Sequence, residues 1–133
     1  MIRALVVDDE APARDKLRRW LAEESDIEFA GEAEDGLAAA AAIASLNPDV
    51  VFLDIQMPGL SGREVAAQLD PDSAPLLVFV TAYDEHAIKA FELNAVDYLL
   101  KPYDKDRLRK ALQRIRSRRG NAESAASAVH AAA

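Results

Sequence analysis

Five short apolar runs alternate with five longer helical patterns, and this alternation constrains the fold of the chain more than any other feature. Three of the runs are almost wholly apolar, as expected for strands that are buried on both faces. Such strands form a parallel sheet with helices on each side. The five predicted strands are IRALVV (2–7), EFAGEA (28–33), DVVFLD (49–54), PLLVFVT (75–81) and VDYLL (96–100).

Each strand is followed by a helical pattern, which implies right-handed crossovers between parallel strands. Five such units predict an α/β fold, namely a flavodoxin-like (βα)5 three-layer sandwich with a parallel five-stranded sheet in the order 2-1-3-4-5. The predicted helices cover about 11–24, about 36–46, a short stretch from 61 or 62, about 84–93, and a last stretch that begins at a cap on Asp104.

The predicted domain comprises residues 1–117, and residues 118–133 form a tail. The tail sequence, GNAESAASAVHAAA from Gly120 onward, has no apolar stripe that could build a core. We expect a linker or a disordered tail there. Because alanine favours helix, a continuation of the last helix is the alternative.

Composition narrows the classes of function. The 133 residues are 50% hydrophobic and include no cysteine, which excludes disulfides, thiolate metal sites and cysteine nucleophiles. No apolar segment approaches the roughly 20 residues of a membrane span, so we expect a cytoplasmic protein with no membrane partner. The net charge is −7, yet residues 101–119 carry a local balance of +7. That basic helix could face a partner or simply be solvated.

Carboxylates follow two strands that neighbour each other in the predicted sheet. Asp8 and Asp9 come directly after the first strand, and Asp54 ends the third. Since parallel strands end at the same edge, three carboxylates should meet in one pocket, where their mutual repulsion requires protonation or a cation. Oxygen ligands without histidine or cysteine favour Mg²⁺. Each acid alone could instead be a helix cap or a loop residue.

Two further strand ends supply groups that complement this acidic pocket. Thr81 ends the fourth strand and Lys101 follows the fifth. A hydroxyl and an ammonium beside a metal form a site for a phosphoryl group, and Asp54 is then placed as a nucleophile that becomes an aspartyl phosphate. Singly, Thr81 could cap a helix and Lys101 could be a solvated charge.

These segments together resemble the receiver domain of two-component response regulators over about residues 1–117. The segments are LVVDDE, DIQMPGLSG, VTAY and DYLLKPY, in family order and with suitable spacing. The resemblance implies that Asp54 is phosphorylated by a sensor histidine kinase, with Thr81 and Lys101 binding the phosphoryl oxygens. It also implies a cis Lys101–Pro102 bond. Thr81 and Tyr98 would form the conformational switch; Tyr98 could instead be an ordinary half-buried strand aromatic.

The resemblance also implies a metal-ligand set. Asp9 and Asp54 would bind Mg²⁺ directly, with the backbone carbonyl of Gln56 as a third protein ligand, and Asp8 would act largely through water. Mn²⁺ is a possible substitute. The turn residues Pro58 and Gly59 would let the chain after Asp54 fold back, so that this carbonyl faces the metal.

A finer resemblance connects residues 80–112 to receivers of the LytR/AlgR type, whose complete proteins carry a LytTR DNA-binding domain after a linker. DNA would be bound only through that output domain. Because we recognise no such domain after residue 117, we expect the chain to be either truncated or a stand-alone receiver. A homodimer is expected on activation, through the fourth helix, fifth strand and fifth helix. Candidate surface residues are Lys89, Glu92, Asp97, Lys105 and Arg109.

Two other classes of function compete with a signalling switch. A phosphatase with an aspartate nucleophile normally places a second acid two residues later, where this chain has Gln56. No phosphate-binding glycine loop follows the first strand, which argues against a nucleotide enzyme. Direct DNA binding through the basic helix is the other class, but the sequence contains no recognisable DNA-binding motif. We therefore expect no enzyme activity beyond self-phosphorylation and dephosphorylation.

Overall fold

The chain forms one parallel sheet of five strands. A computed structural model describes residues 1–57, 61–67, 69, 75–82 and 95–132. The strand order is β2-β1-β3-β4-β5, and all four neighbouring pairs are parallel. The predicted topology is confirmed, with strand ends that differ from the predicted ones by at most one residue. The strands are β1 (Ile2–Val7), β2 (Ile27–Ala33), β3 (Val50–Asp54), β4 (Leu76–Thr81) and β5 (Ala95–Leu100).

Helices cover both faces of the sheet, which gives the predicted three layers. Because α1 ends at Leu21, it is three residues shorter than the pattern suggested. The fourth predicted helix, residues 84–93, lies outside the described residues, as do Pro58 and Gly59. The described helices are α1 (Ala11–Leu21), α2 (Gly36–Leu46), α3 (Gly62–Ala67) and the C-terminal helix (Lys105–Ala132).

Two apolar cores lie on opposite sides of the sheet. In β1, Ala4 and Val6 belong to the core under α1 and the C-terminal helix, whereas Leu5 and Val7 belong to the core under α2 and α3. All four are at most 1% exposed. The continuous apolar runs are therefore explained by burial on both faces.

Short-range hydrogen bonds fix the helix ends. The Asp104 carboxylate accepts the backbone N–H of Arg107 at 2.8 Å, which confirms the predicted cap. Asp35 caps α2 in the same way by accepting from Ala38. At the other end of α2, Asn47 adopts a left-handed backbone (φ 48°) directly before Pro48. These contacts define where the helices begin and end.

The C-terminal helix continues through the predicted tail to Ala132. In the described part of the predicted tail, residues 118–132, the structure therefore shows the helical alternative. Arg116 pairs with Asp26 at 2.7 Å and Arg119 with Asp49 at 2.8 Å, so the helix is tied to the sheet up to Arg119. Neither this helix nor any other in the described ranges is long and apolar enough to cross a bilayer.

Gly120 lies inside the C-terminal helix, directly after Arg119, and a Cβ added there meets nothing within 4 Å. Replacing Gly120 with alanine should therefore raise helicity and stabilise the helix by up to about 1 kcal/mol. Circular dichroism and urea unfolding measure both effects.

Gly31→Ala is the matched control for that prediction. A Cβ on Gly31 would lie 2.8 Å from the Leu46 side chain, so this variant should bring no gain. A Gly120→Ala variant that is no more stable than wild type would contradict the continuous helix.

Candidate functional site

Three carboxylates meet at the C-terminal edge of the sheet, where the sequence predicted them. Val7 and Leu53 are register partners in β1 and β3, so Asp8 and Asp54 come to neighbouring positions at this edge. Each of Asp8, Asp9 and Asp54 offers an oxygen within 4.8 Å of those of the other two. Asp9 is exposed, whereas Asp8 is only 4% and Asp54 only 5% exposed. The cluster is thus open to solvent on the side of Asp9.

Lys101 places an ammonium between the two buried carboxylates. Its Nζ lies 2.8 Å from Asp8 Oδ2 and 3.6 Å from Asp54 Oδ2. The side chain reaches this position because the Lys101 backbone N–H donates to the Thr81 carbonyl at 2.7 Å, immediately after β5. The Lys101–Pro102 bond that follows is cis, as expected.

Backbone hydrogen bonds orient the two buried carboxylates. Gln56 N–H donates to Asp54 Oδ1 at 3.1 Å, and Glu10 N–H donates to Asp8 Oδ1 at 3.0 Å. In each residue the other oxygen, Oδ2, is the one that faces Lys101. Arg14 of α1 adds a hydrogen bond to the Asp8 carbonyl at 2.6 Å, which ties the loop after β1 to the helix. The site is therefore held in place before any ligand binds.

Burial and charge oppose each other at Asp54. Burial raises the pKa of its carboxyl to about 6, Lys101 counteracts this shift, and the negative charge of Asp8 adds to it. Burial would lower the pKa of Lys101, but the hydrogen bond to Asp8 and the charges of Asp54 and Asp8 outweigh it and raise that pKa. The site thus carries surplus negative charge that a second cation would relieve.

The donor set fits a hard divalent cation. It consists of carboxylate oxygens that already converge, and the chain has no cysteine that would favour a softer metal. Gln56, whose carbonyl was predicted as a further ligand, lines the same pocket and holds Asp54 through its N–H. Its role as a metal ligand stays a prediction, as does the water-mediated role of Asp8.

A pocket of about 320 Å³ opens above Asp54. At ~30 Å³ per water, it has room for a hydrated ion together with a small anion. Carboxylates and an ammonium face the same space, which suits a cation and an anion bound side by side. Glu10, Met57 and Ala82 were not predicted to be at the site. The lining residues are Asp9, Glu10, Asp54, Gln56, Met57, Ala82 and Lys101.

The two predicted switch residues lie close to the site but differ in burial. Thr81 ends β4 with 0% exposure, and its neighbour Ala82 lines the pocket. Tyr98 is half-buried in the edge strand β5 and packs against the core under α2 and α3. The predicted contact of Thr81 with a phosphoryl oxygen, and the movement of Tyr98, remain predictions.

The structure corrects the proposed dimer surface at one residue. Asp97 was expected to be exposed, but its side chain is 0% exposed and pairs with Arg107 and Arg114. Lys105 pairs with Glu23, just after α1, at 2.8 Å and its side chain stays 43% exposed, so its place on that surface stays a prediction. Arg109 is exposed as expected. The last two candidate residues, Lys89 and Glu92, lie outside the described residues.

Comparison of the sequence with known families and proteins agrees with this geometry. Residues 4–113 match the family model of the response regulator receiver domain. Transcriptional regulatory protein BtsR of Escherichia coli K12 is 55% identical over 119 residues, which cover 90% of this chain and 50% of that protein. An uncharacterised response regulatory protein of Yersinia pestis is 57% identical over 115 residues, covering 86% and 48%. The chain thus spans about half the length of these curated relatives.

Solved structures of similar sequence share the fold. The response regulatory domain of MrkE from Klebsiella pneumoniae superposes with a TM-score of 0.76 at 36% identity, covering 87% of this chain and 96% of that one. The REC domain of AraT from Geobacillus stearothermophilus gives 0.81 at 31% identity, covering 92% and 98%. Both likenesses cover most of either chain.

Proposed function

The chain belongs to the response regulator receiver domains, and from that premise we propose that it is a signalling switch that accepts a phosphoryl group on Asp54. One observation carries the proposal. The Asp54 carboxylate lies at an open pocket within 3.6 Å of the Lys101 ammonium and beside two further carboxylates. This is a nucleophile with a cation next to it, in the arrangement that phosphoryl transfer requires.

In the proposed step, a carboxylate oxygen of Asp54 attacks the phosphorus of a phosphohistidine on a sensor histidine kinase. The new bond joins that oxygen to phosphorus while the P–N bond breaks, and its electron pair stays on the imidazole nitrogen, which then holds a proton from solvent. Lys101 holds positive charge beside the phosphoryl oxygens as charge accumulates on them. The Gln56 N–H keeps the carboxylate oriented during the attack.

The same proposal includes Mg²⁺ as the cofactor, with Mn²⁺ as a substitute. Asp9 and Asp54 would hold the ion directly, the Gln56 carbonyl would complete the protein ligands, and Asp8 would act through water. When bound, the ion neutralises phosphoryl charge and orients the donor. The convergence of the three carboxylate oxygens within 4.8 Å supports this assignment.

Phosphorylation would act by shifting a conformational equilibrium. Thr81 would move towards the phosphoryl group and Tyr98 would turn inward, which changes the surface around β5. A rare conformation becomes dominant only if the phosphoryl group interacts with it more favourably by a matching free energy. The position of Thr81 at 0% exposure beside the pocket residue Ala82 supports such a link.

The output we propose is control of transcription in the cytoplasm, in a protein of the LytR/AlgR type. A LytTR domain outside this chain would bind the DNA, and homodimerisation around β5 would accompany activation. Two observations support this proposal. A transcriptional regulatory protein is 55% identical over 119 residues, and this chain covers only 50% of it, which leaves room for an output domain there.

Incubation with Mg²⁺ and acetyl phosphate, followed by intact-mass spectrometry, tests the proposal. Wild type should gain one phosphoryl group and Asp54→Asn should gain none, because an amide is a poor nucleophile. A wild type that gains no mass, or an Asp54→Asn variant that gains as much, would refute it. Continuous release of phosphate from the donor without stable incorporation would favour a phosphatase.

A further inference from the structure

Arg107, on the C-terminal helix, contacts both Asp97 and Tyr98 of β5. Its Nη1 donates to Asp97 Oδ2 at 2.9 Å and its Nη2 to Asp97 Oδ1 at 2.8 Å. Nη2 also donates to the Tyr98 carbonyl at 2.6 Å. Two parallel bonds to one carboxylate fix the plane of the guanidinium, so its position is well determined.

The same guanidinium lies against the Tyr98 ring. Its central carbon is 5.5 Å from the ring centroid, which is within the range of a cation–π interaction. Tyr98 packs against the core under α2 and α3, whereas Asp97 is held by two arginines of the C-terminal helix. Arg107 therefore connects the C-terminal helix to the aromatic ring across the edge strand β5.

These contacts restrict Tyr98 unequally. Asp97 Oδ1 accepts the Tyr98 N–H at 2.8 Å, and Arg107 binds the Tyr98 carbonyl, so both backbone groups of Tyr98 are engaged. A change of orientation at Tyr98 would therefore be a rotation of its side chain. The cation–π contact with Arg107 belongs to the half-buried orientation of the ring.

We propose that Arg107 is a positioning residue for the switch, which holds the Tyr98 ring in its half-buried orientation and so keeps the inward orientation rare before phosphorylation. This rests on the proposed role of Tyr98 as the switch residue. The surface around β5 is then coupled to the C-terminal helix through the Arg107 side chain. That helix leads towards any segment that follows residue 132.

Arg107→Lys tests the proposal in the full 133-residue chain, with Arg114→Lys as its matched control. Both arginines donate to the same buried Asp97 carboxylate and both variants keep a positive charge, but the ring and carbonyl contacts described for Tyr98 belong to Arg107. Thermal unfolding of both variants checks the fold.

The readout is NMR of ring-labelled tyrosine without phosphorylation, with Tyr98 assigned by Tyr98→Phe and its solvent exposure measured with a paramagnetic cosolute. A partly exposed cation–π contact corresponds to about a two- to five-fold shift in population. Arg107→Lys should enrich a less exposed ring environment by that factor, and Arg114→Lys should not. An unchanged ring in Arg107→Lys, or equal changes in both variants, would overturn the proposal.

A second measurement separates this inference from the proposed function. If the inward orientation favours phosphorylation, Arg107→Lys should speed incorporation from acetyl phosphate by a similar factor, and the gain should vanish in a Tyr98→Leu background. A gain that persists without the ring would overturn the role of Arg107. Wild type that takes no phosphate refutes the proposed function instead, and the ring measurement still decides on Arg107.

Discussion

Replacing Lys101 with methionine is expected to slow phosphate incorporation on Asp54 by about 10²- to 10³-fold, the usual effect of removing one donor that faces developing charge. The Lys101 ammonium lies 2.8 Å from Asp8 and 3.6 Å from Asp54. The other described residues that line the pocket carry no positive charge, so none of them can replace it. Methionine keeps much of the side-chain volume and removes the charge. Initial rates with Mg²⁺ and acetyl phosphate measure the effect.

Lys105→Met is the matched control for that experiment. Lys105 lies four residues later and is also ion-paired, but its partner is Glu23, just after α1, and neither residue lines the pocket. Its rate should stay within about twofold of wild type. Because loss of Lys101 leaves two buried carboxylates without their cation, urea unfolding should accompany the rates. A folded Lys101→Met variant with a wild-type rate would contradict the assigned role.

Asp97→Ala should destabilise the domain by about 3 kcal/mol, at the low end for breaking a buried ion pair. The fully buried carboxylate accepts four hydrogen bonds, two from Arg107 and one each from Arg114 and the Tyr98 backbone N–H, and its removal leaves these four donors unmatched. The cost is moderated because the Arg107 and Arg114 side chains remain 29% and 59% exposed to water. Urea denaturation measures the difference.

The stabilisation from Asp97 should depend on pH with a defined sign. Burial would raise the pKa of its carboxyl, but hydrogen bonds from Arg107 and Tyr98, together with the charges of Arg107 and Arg114, hold the pKa below its usual range. Because the pKa is depressed in the native state, the stabilisation is complete above the unfolded-state pKa of about 3.9. It is lost as the pH falls through the native-state pKa. The difference in the free energy of unfolding between wild type and Asp97→Ala should therefore be constant near neutral pH and should become smaller below about pH 4.

Asp106→Ala provides the comparison for both Asp97 results. The Asp106 carboxylate is 86% exposed and lies 3.8 Å from Arg109, so its loss should change stability by no more than about 0.5 kcal/mol. An Asp97→Ala variant as stable as Asp106→Ala would contradict the buried pair. A difference in unfolding free energy between wild type and Asp97→Ala that grows on acidification would contradict the lowered pKa of Asp97.

The sheet and the acidic cluster could be predicted because each depends on local pattern. Apolar runs buried on both faces identified the strands, and the rule that parallel strands end at one edge brought Asp8 and Asp54 together. The position of Lys101 followed from the same rule. The side-chain contacts of Glu10 and Ala82 with the pocket required the loop conformations, which no periodicity encodes.

Asp97 shows why the rest could not be predicted. Ala95 packs with the core under α2 and α3, but Leu99, four residues later on the same strand, packs with the opposite core. The register of β4 against β5 shifts between Leu77 and Val78, so simple alternation fails there. The partners of Asp97, Arg107 and Arg114, come from a later helix whose placement depends on tertiary packing. A charged residue in an edge strand therefore looked like a surface residue.

The most direct test of the phosphoacceptor assignment is to locate the phosphoryl group. Wild-type protein is incubated with Mg²⁺ and acetyl phosphate, digested at low pH and mapped by tandem mass spectrometry, with a chelator-treated sample in parallel. We expect a single phosphorylated residue, Asp54, whose modification is released by hydroxylamine as an acyl phosphate and is absent when the metal is removed. Phosphate on any other residue, or none in the peptide that contains Asp54, would contradict the assignment.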